Sequence, residues 1–182
     1  MKLSKSIIIF DGSNFYHKLK DAGFPHPSRF DYQAFSKHLT SKSKLVSKYY
    51  CIGKIRAKQE DKKARLLMAK QQKFITKLSQ QGFTIQFGYL LKTDKQFHEK
   101  GVDVQIAVNI LKGAYRNIYD LVYLVSSDSD LLPAILEAQS NGKIVVYVGF
   151  KDKLSYALKN SCKKSVILTK DDFHKFSEKT PI

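Results

Sequence analysis

Residues 121–130 read LVYLVSSDSD. Five apolar residues, Leu121 to Val125, lead into Ser126, Ser127, Asp128, Ser129 and Asp130. A short, continuous apolar run of this kind suits a strand buried on both faces of a sheet. Burying an unpaired carboxylate costs several kcal/mol or more, so the two acids belong where the strand leaves the core. Two roles remain open for them. Either acid can cap the helix expected after it, or the two can help to hold a metal ion.

Working outward, strands and helices alternate. Strands are expected at residues 6–10 (SIIIF), 49–55, 83–91, 121–125, 143–148 and 165–168. Helices are expected at residues 14–22, 31–41 with Asp31 as N-cap, 61–81 ended by Gly82, 102–115, 131–140 and 154–160, with a last helical turn at 171–176. Residues 92–101 read as a polar loop. Strands alternating with helices predict an α/β fold whose mainly parallel sheet is covered on both faces. No repeat or flexible linker divides the 182 residues, which suit one domain spanning 1–182.

The 32 Lys and Arg against 16 Asp and Glu give a net charge of +16, which draws a domain to polyanions, nucleic acid foremost. An anionic membrane surface is the rival partner. The apolar run at residues 7–10 is too short for a signal segment or a membrane span. Cys51 and Cys162 stand far apart with no CxxC spacing, which disfavours a disulfide framework or a zinc site and fits a reducing, cytoplasmic setting.

In doubly wound sheets, ligands bind beyond the carboxyl ends of the strands where strand order reverses. The first strand ends at Asp11, followed by Gly12, Ser13 and Asn14. Were it a neighbour of strand 121–125, Asp11 and Asp128 would converge there. Asp103 opens the helix after Lys100-Gly101-Val102. Taken singly, Asp11, Asp128 and Asp130 read as helix caps, and Asp103 as an ordinary first-turn acid. Taken together, they repel one another unless a cation joins them, and oxygen ligands of this type suit Mg²⁺ or Mn²⁺.

Three stretches carry a resemblance: FDGSNF at 10–15, KGVDVQIAVN at 100–109, and VSSDSD at 125–130 followed by GKIVVYVGF at 142–150. In order and spacing they resemble the NYN domains of the LabA-like group, relatives of the PIN nucleases, over nearly the whole chain. The resemblance implies a PIN-like (Rossmann-like) three-layer α/β/α fold with a central mainly parallel sheet, and divalent-metal-dependent cleavage of RNA. By position, Asp11 matches the first acid of that group, Asn14 its accompanying amide, Asp103 the acid of KGVD, and Asp128 and Asp130 the two acids after the strand. The chain departs from the group at Asn109, where an aspartate is common, and at Ser127 and Ser129, where glycines are common.

The expected chemistry is phosphodiester hydrolysis, with Asp11, Asp103 and Asp128 as metal ligands and Asp130 ligating directly or through water. Asn14, Ser127, Asn109 and Lys100 are candidates to orient a ligand or meet phosphate. Lys54, Arg56 and Lys58 open a basic run that continues through Lys62, Lys63, Arg65, Lys70, Lys73 and Lys77, a candidate RNA-tracking surface that also reads as a solvated helix face. Tyr49, Tyr89 and Phe97 can stack on unpaired bases or pack in the core, and Tyr50 reads as core. No Ser/His/Asp triad is visible, and the five histidines share no motif. The alternatives are an NYN-type RNA-binding module that has lost cleavage, with Asn109 as its motive, and a partner-binding protein whose acids hold a structural ion. Homo-oligomers stay open.

Overall fold

The computed structural model describes residues 3–24, 26–93 and 96–177; the side chains of residues 89–93 and 96–99 lie outside that description. Seven strands form one sheet: β1 (Lys5–Asp11), β2 (Lys44–Gly53), β3 (Thr84–Thr93), β4 (Gln96–Lys100), β5 (Leu121–Val125), β6 (Ile144–Phe150) and β7 (Lys164–Leu168). Their spatial order is β4-β3-β2-β1-β5-β6-β7. Every pairing is parallel except β3 with β4. From β1 the chain winds outward through β2 and β3, then returns to β5 on the other side of β1. The strand order therefore reverses between β1 and β5, the expected place for a ligand.

Alternation along the strands builds two cores. Ile7, Ile9 and Cys51 face α4 (Val102–Tyr115), α5 (Leu132–Ser140) and α6 (Tyr156–Ser161), packing with Ile106, Ile110, Ile135 and Leu158. Ile8 and Phe10 face α1 (Gly12–Asp21), α2 (Tyr32–Leu39), α3 (Lys62–Gln80) and α7 (Lys170–His174). The second core is aromatic. The Phe10 ring lies 5.4 Å from Phe15, 5.5 Å from Tyr32 and 5.9 Å from Phe83, all edge to face. Such pairs each add about 0.5–1.5 kcal/mol beyond area burial. The result is the three-layer α/β/α architecture that the sequence predicts.

Helix starts follow sequence chemistry. Asp31 accepts from Ala34 N at 2.8 Å and Asp61 from Ala64 N at 2.9 Å, so each caps the helix it precedes. Gly82, past the end of α3, takes φ +80, which a glycine adopts without strain. The polar loop expected at residues 92–101 is corrected: β3 extends to Thr93, and Gln96–Lys100 returns antiparallel as the edge strand β4. Its polar composition suits an edge, where one side of the strand meets water.

Both cysteines are buried thiols outside any disulfide, and burial pushes the Cys162 thiol up to about 11. A thiol held protonated in this way is a packing group rather than a nucleophile. Among the described residues no helix is long and apolar enough to cross a membrane.

Gly88 on β3 ties the sheet to the start of α4. A Cβ at Gly88 would lie 2.5 Å from Val102 Cγ2 and 2.7 Å from the Lys100 carbonyl oxygen. Gly88→Ala is expected to cost about 1–3 kcal/mol through overpacking. Val104→Ala, on the exposed face of α4, should stay within about 0.5 kcal/mol. Urea midpoints of the two variants check the difference.

Candidate metal centre

Strands β1 and β5 pair from Ser6 with Leu121 to Phe10 with Val125. One residue further, Asp11 and Ser126 leave the sheet side by side. Ser126 is fully buried, and its hydroxyl donates to Asp11 Oδ2 at 2.8 Å. The same hydroxyl oxygen accepts from Asp128 N at 3.1 Å. One serine thereby fixes the carboxylate of the first strand and the backbone that carries the second acid.

Asp11 is only 4% exposed, and its Oδ1 accepts from Asn14 N at 3.1 Å. Asp128 Oδ1 accepts from Asp130 N at 2.9 Å and caps the 3-10 turn Ser129–Leu131 that leads into α5. The capping roles are therefore real. They do not exhaust the acids, because a carboxylate has about four acceptor positions. Asp103 comes from a third direction, in the first turn of α4, placed there by Gly101 with φ +80.

The three acids meet. One carboxylate oxygen from each of Asp11, Asp103 and Asp128 lies within 4.8 Å of the other two. Asp11 is buried, Asp128 half-buried and Asp103 exposed, so the group sits at the mouth of the crevice. Three carboxylates at this spacing repel strongly unless a cation lies among them. The donor set is oxygen alone. His17, His26, His38 and His174 are exposed, and among the described residues no histidine or cysteine joins the trio. Hard oxygen donors fit Mg²⁺ or Mn²⁺ and not a zinc site of the Cys/His type.

The other candidate residues fall in different places. Asp130 is exposed in the 3-10 turn and is not one of the three grouped acids. Asn14 Oδ1 accepts from Ser127 N at 3.2 Å, bracing the turn after β1 against the turn after β5. Ser127 Oγ lies 3.3 Å from Tyr147 Oη. Lys100 is exposed at the end of β4, just before Gly101. Arg56 and Lys58 are exposed between β2 and α3. Asn109 is buried, and its amide is engaged: its nitrogen donates to Gln86 Oε1, and its oxygen accepts from Gln86 Nε2 at 3.1 Å and Gln105 Nε2 at 3.4 Å. Cys51, the register partner of Asp11, adds a contact from its Sγ to Gln86 Oε1 at 3.5 Å.

Of the possible stacking aromatics, Tyr50 is core as read, Tyr49 is half-buried against the α4 core, and the side chains of Tyr89 and Phe97 lie outside the described residues. Sequence reasoning missed Ser126 and Gln86. A serine after a strand carries no signal by itself. The usable clue was pairing: once β1 and β5 are neighbours, the residue level with Asp11 has to be able to donate a hydrogen bond.

Ser126→Ala would leave Asp11 Oδ2 and Asp128 N without this partner in a buried setting. The expected cost is about 1–3 kcal/mol, seen as a lower urea midpoint. Ser127→Ala, at a half-buried position, should lower it less.

Residues 5–169 match the model of the NYN domain. In fold, the chain is similar to a protein of unknown function from Vibrio parahaemolyticus, with a TM-score of 0.70 and 25% identity over 94% of this chain and 96% of that one. In sequence it is similar to an uncharacterized protein of Methanocaldococcus jannaschii, 37% identical over 59 residues, which are 32% of this chain and 25% of that relative's length. With the family model covering nearly all of the strands and helices that build the site, the chain belongs to the NYN domain family.

Proposed function

We propose that the protein is a divalent-metal-dependent ribonuclease of the LabA-like group, hydrolysing RNA phosphodiester bonds at the carboxyl edge of its sheet. The observation that carries this reading is the meeting of Asp11, Asp103 and Asp128 within 4.8 Å at the point where strand order reverses. Membership in a nuclease-related family and the net charge of +16 support it. A cytoplasmic protein acting on single-stranded or structured RNA is the setting this reading implies.

Asp11, Asp103 and Asp128 would hold Mg²⁺ or Mn²⁺, with Asp130 contributing directly or through water. When bound, the metal supplies an activated water and charge relief at the phosphate. The chain's own residues do the positioning. Ser126 holds the Asp11 carboxylate in place, and Asn14 locks the two catalytic turns together. Lys100 and Ser127 would meet phosphate oxygens. Arg56 and Lys58 would track the backbone of the strand beyond it.

Asn109 favours a second reading, an RNA-binding module that no longer cuts. Its neutral amide, paired with Gln86, replaces an acid common in the group and removes one negative charge from the neighbourhood of the trio. Cleavage of a labelled single-stranded RNA separates the two. The nuclease reading predicts cutting with Mn²⁺ or Mg²⁺, none with EDTA, and a loss of at least about 100-fold in Asp128→Asn. RNA binding with no cutting under either metal would replace it with the binding module.

A further inference from the structure

A cavity of about 430 Å³ opens at the turn that follows β1, on the α1 and α3 side of the sheet. It lies between the start of α1, the end of β2 and the middle of α3, with walls that include Gly12, Ser13, Tyr16, Tyr50, Leu67 and Phe74. Gly12 and Ser13 directly follow Asp11, so the cavity and the trio share the turn after β1.

The cavity exists because α3 packs on the sheet unevenly. Its buried residues are Ala64, Ile75 and Leu78. Between Ala64 and Ile75 the residues turned to the cavity are not fully buried: Leu67 is 45% exposed, and Gln71 and Phe74 are half-buried. Gln71 spans the gap: its Nε2 donates to the Gly53 carbonyl at 2.8 Å, and its Oε1 accepts from Ile55 N at 2.9 Å. This tie pins the helix to the end of β2 without filling the space. Gly12 keeps the floor low, since a Cβ there would lie 2.6 Å from the Tyr50 ring. Tyr16 stands at the rim, 39% exposed, with Lys20 Nζ 5.3 Å from its ring centroid.

We propose that this cavity receives one unpaired base of the RNA strand whose phosphate lies at the carboxylate trio. The inference rests on the ribonuclease reading and names the substrate class within it. A mostly apolar cavity with aromatic walls suits a base, whose faces stack and whose edges need few partners. The volume falls within the roughly 300–1,000 Å³ of small-molecule pockets. Lys70 lines the cavity, and Arg56, Lys58, Lys62 and Lys63 are exposed on the stretch of chain between two of its lining residues, Ile55 and Leu67, which would set positive charge toward the RNA backbone. A base locked in a duplex is not available to enter, so the preferred substrate is single-stranded or looped RNA.

The chain holds no tryptophan, so an RNA hexamer carrying one 2-aminopurine reports stacking cleanly. With Ca²⁺ replacing the catalytic metal, wild type should bind the hexamer and quench its emission. Tyr16→Ala should weaken binding about tenfold and abolish the quench, and Leu67→Glu should weaken it in the same direction. Tyr16→Ala should still bind Mn²⁺ as the wild type does, which separates this subsite from the metal centre. A fully paired duplex containing the same base should bind without quenching. Equal binding by wild type, Tyr16→Ala and Leu67→Glu, or binding of an abasic hexamer as tight as that of the intact one, would overturn the proposal even if cleavage is observed.

Discussion

The hydrogen bond from Ser126 to Asp11 joins the two halves of the molecule at the place where they diverge. Strands β2 and β3 extend one way from β1, and β5, β6 and β7 the other. At the carboxyl edge nothing in the sheet itself holds the two sets of turns together, because ladder bonding stops with Phe10 and Val125. The Ser126 hydroxyl and the Asn14 amide take over there, one reaching Asp11 and the other Ser127. The positions of Asp11 and Asp128 depend on these two short contacts, and the approach of Asp103 depends on the tight passing of β3 and α4 at Gly88.

Two electrostatic scales act on one surface. Over the whole chain the charge is +16, which steers polyanions toward it. Within a few ångströms of the trio the field is negative, which excludes phosphate until a cation intervenes. A metal ion held by the trio would reconcile the two: it would neutralise the acids locally and let a phosphate approach a site that the protein's long-range field favours. The buried Asn109–Gln86 pair is neutral and adds no further negative charge on the α4 side of the sheet.

Much of this was legible in the residues. The helix at Val102–Tyr115 and the strand at Leu121–Val125 lie where apolar spacing put them, and Asp31 caps its helix as read. Strand β4 was not legible, because an edge strand can be polar on both sides and so resembles a loop. The convergence of Asp11, Asp103 and Asp128 followed from a rule about strand ends once the fold class was known. Asp130 was harder to place: two acids spaced by one residue look equivalent in sequence, yet the 3-10 turn puts only Asp128 with the other two. The cavity under α3 left no trace, since the helix reads from its basic residues alone and only the packing shows Leu67 exposed on the cavity wall.

The central claim is that Asp11, Asp103 and Asp128 together hold a divalent cation. Mn²⁺ binding followed by electron paramagnetic resonance tests it without relying on catalysis or on a chosen RNA. The account predicts saturable Mn²⁺ binding by the wild-type chain, lost or strongly weakened in Asp11→Asn, Asp103→Asn and Asp128→Asn, and unchanged in Asp171→Asn, an exposed acid on α7. Binding that is equally strong in all four variants, or absent from the wild type, would contradict it.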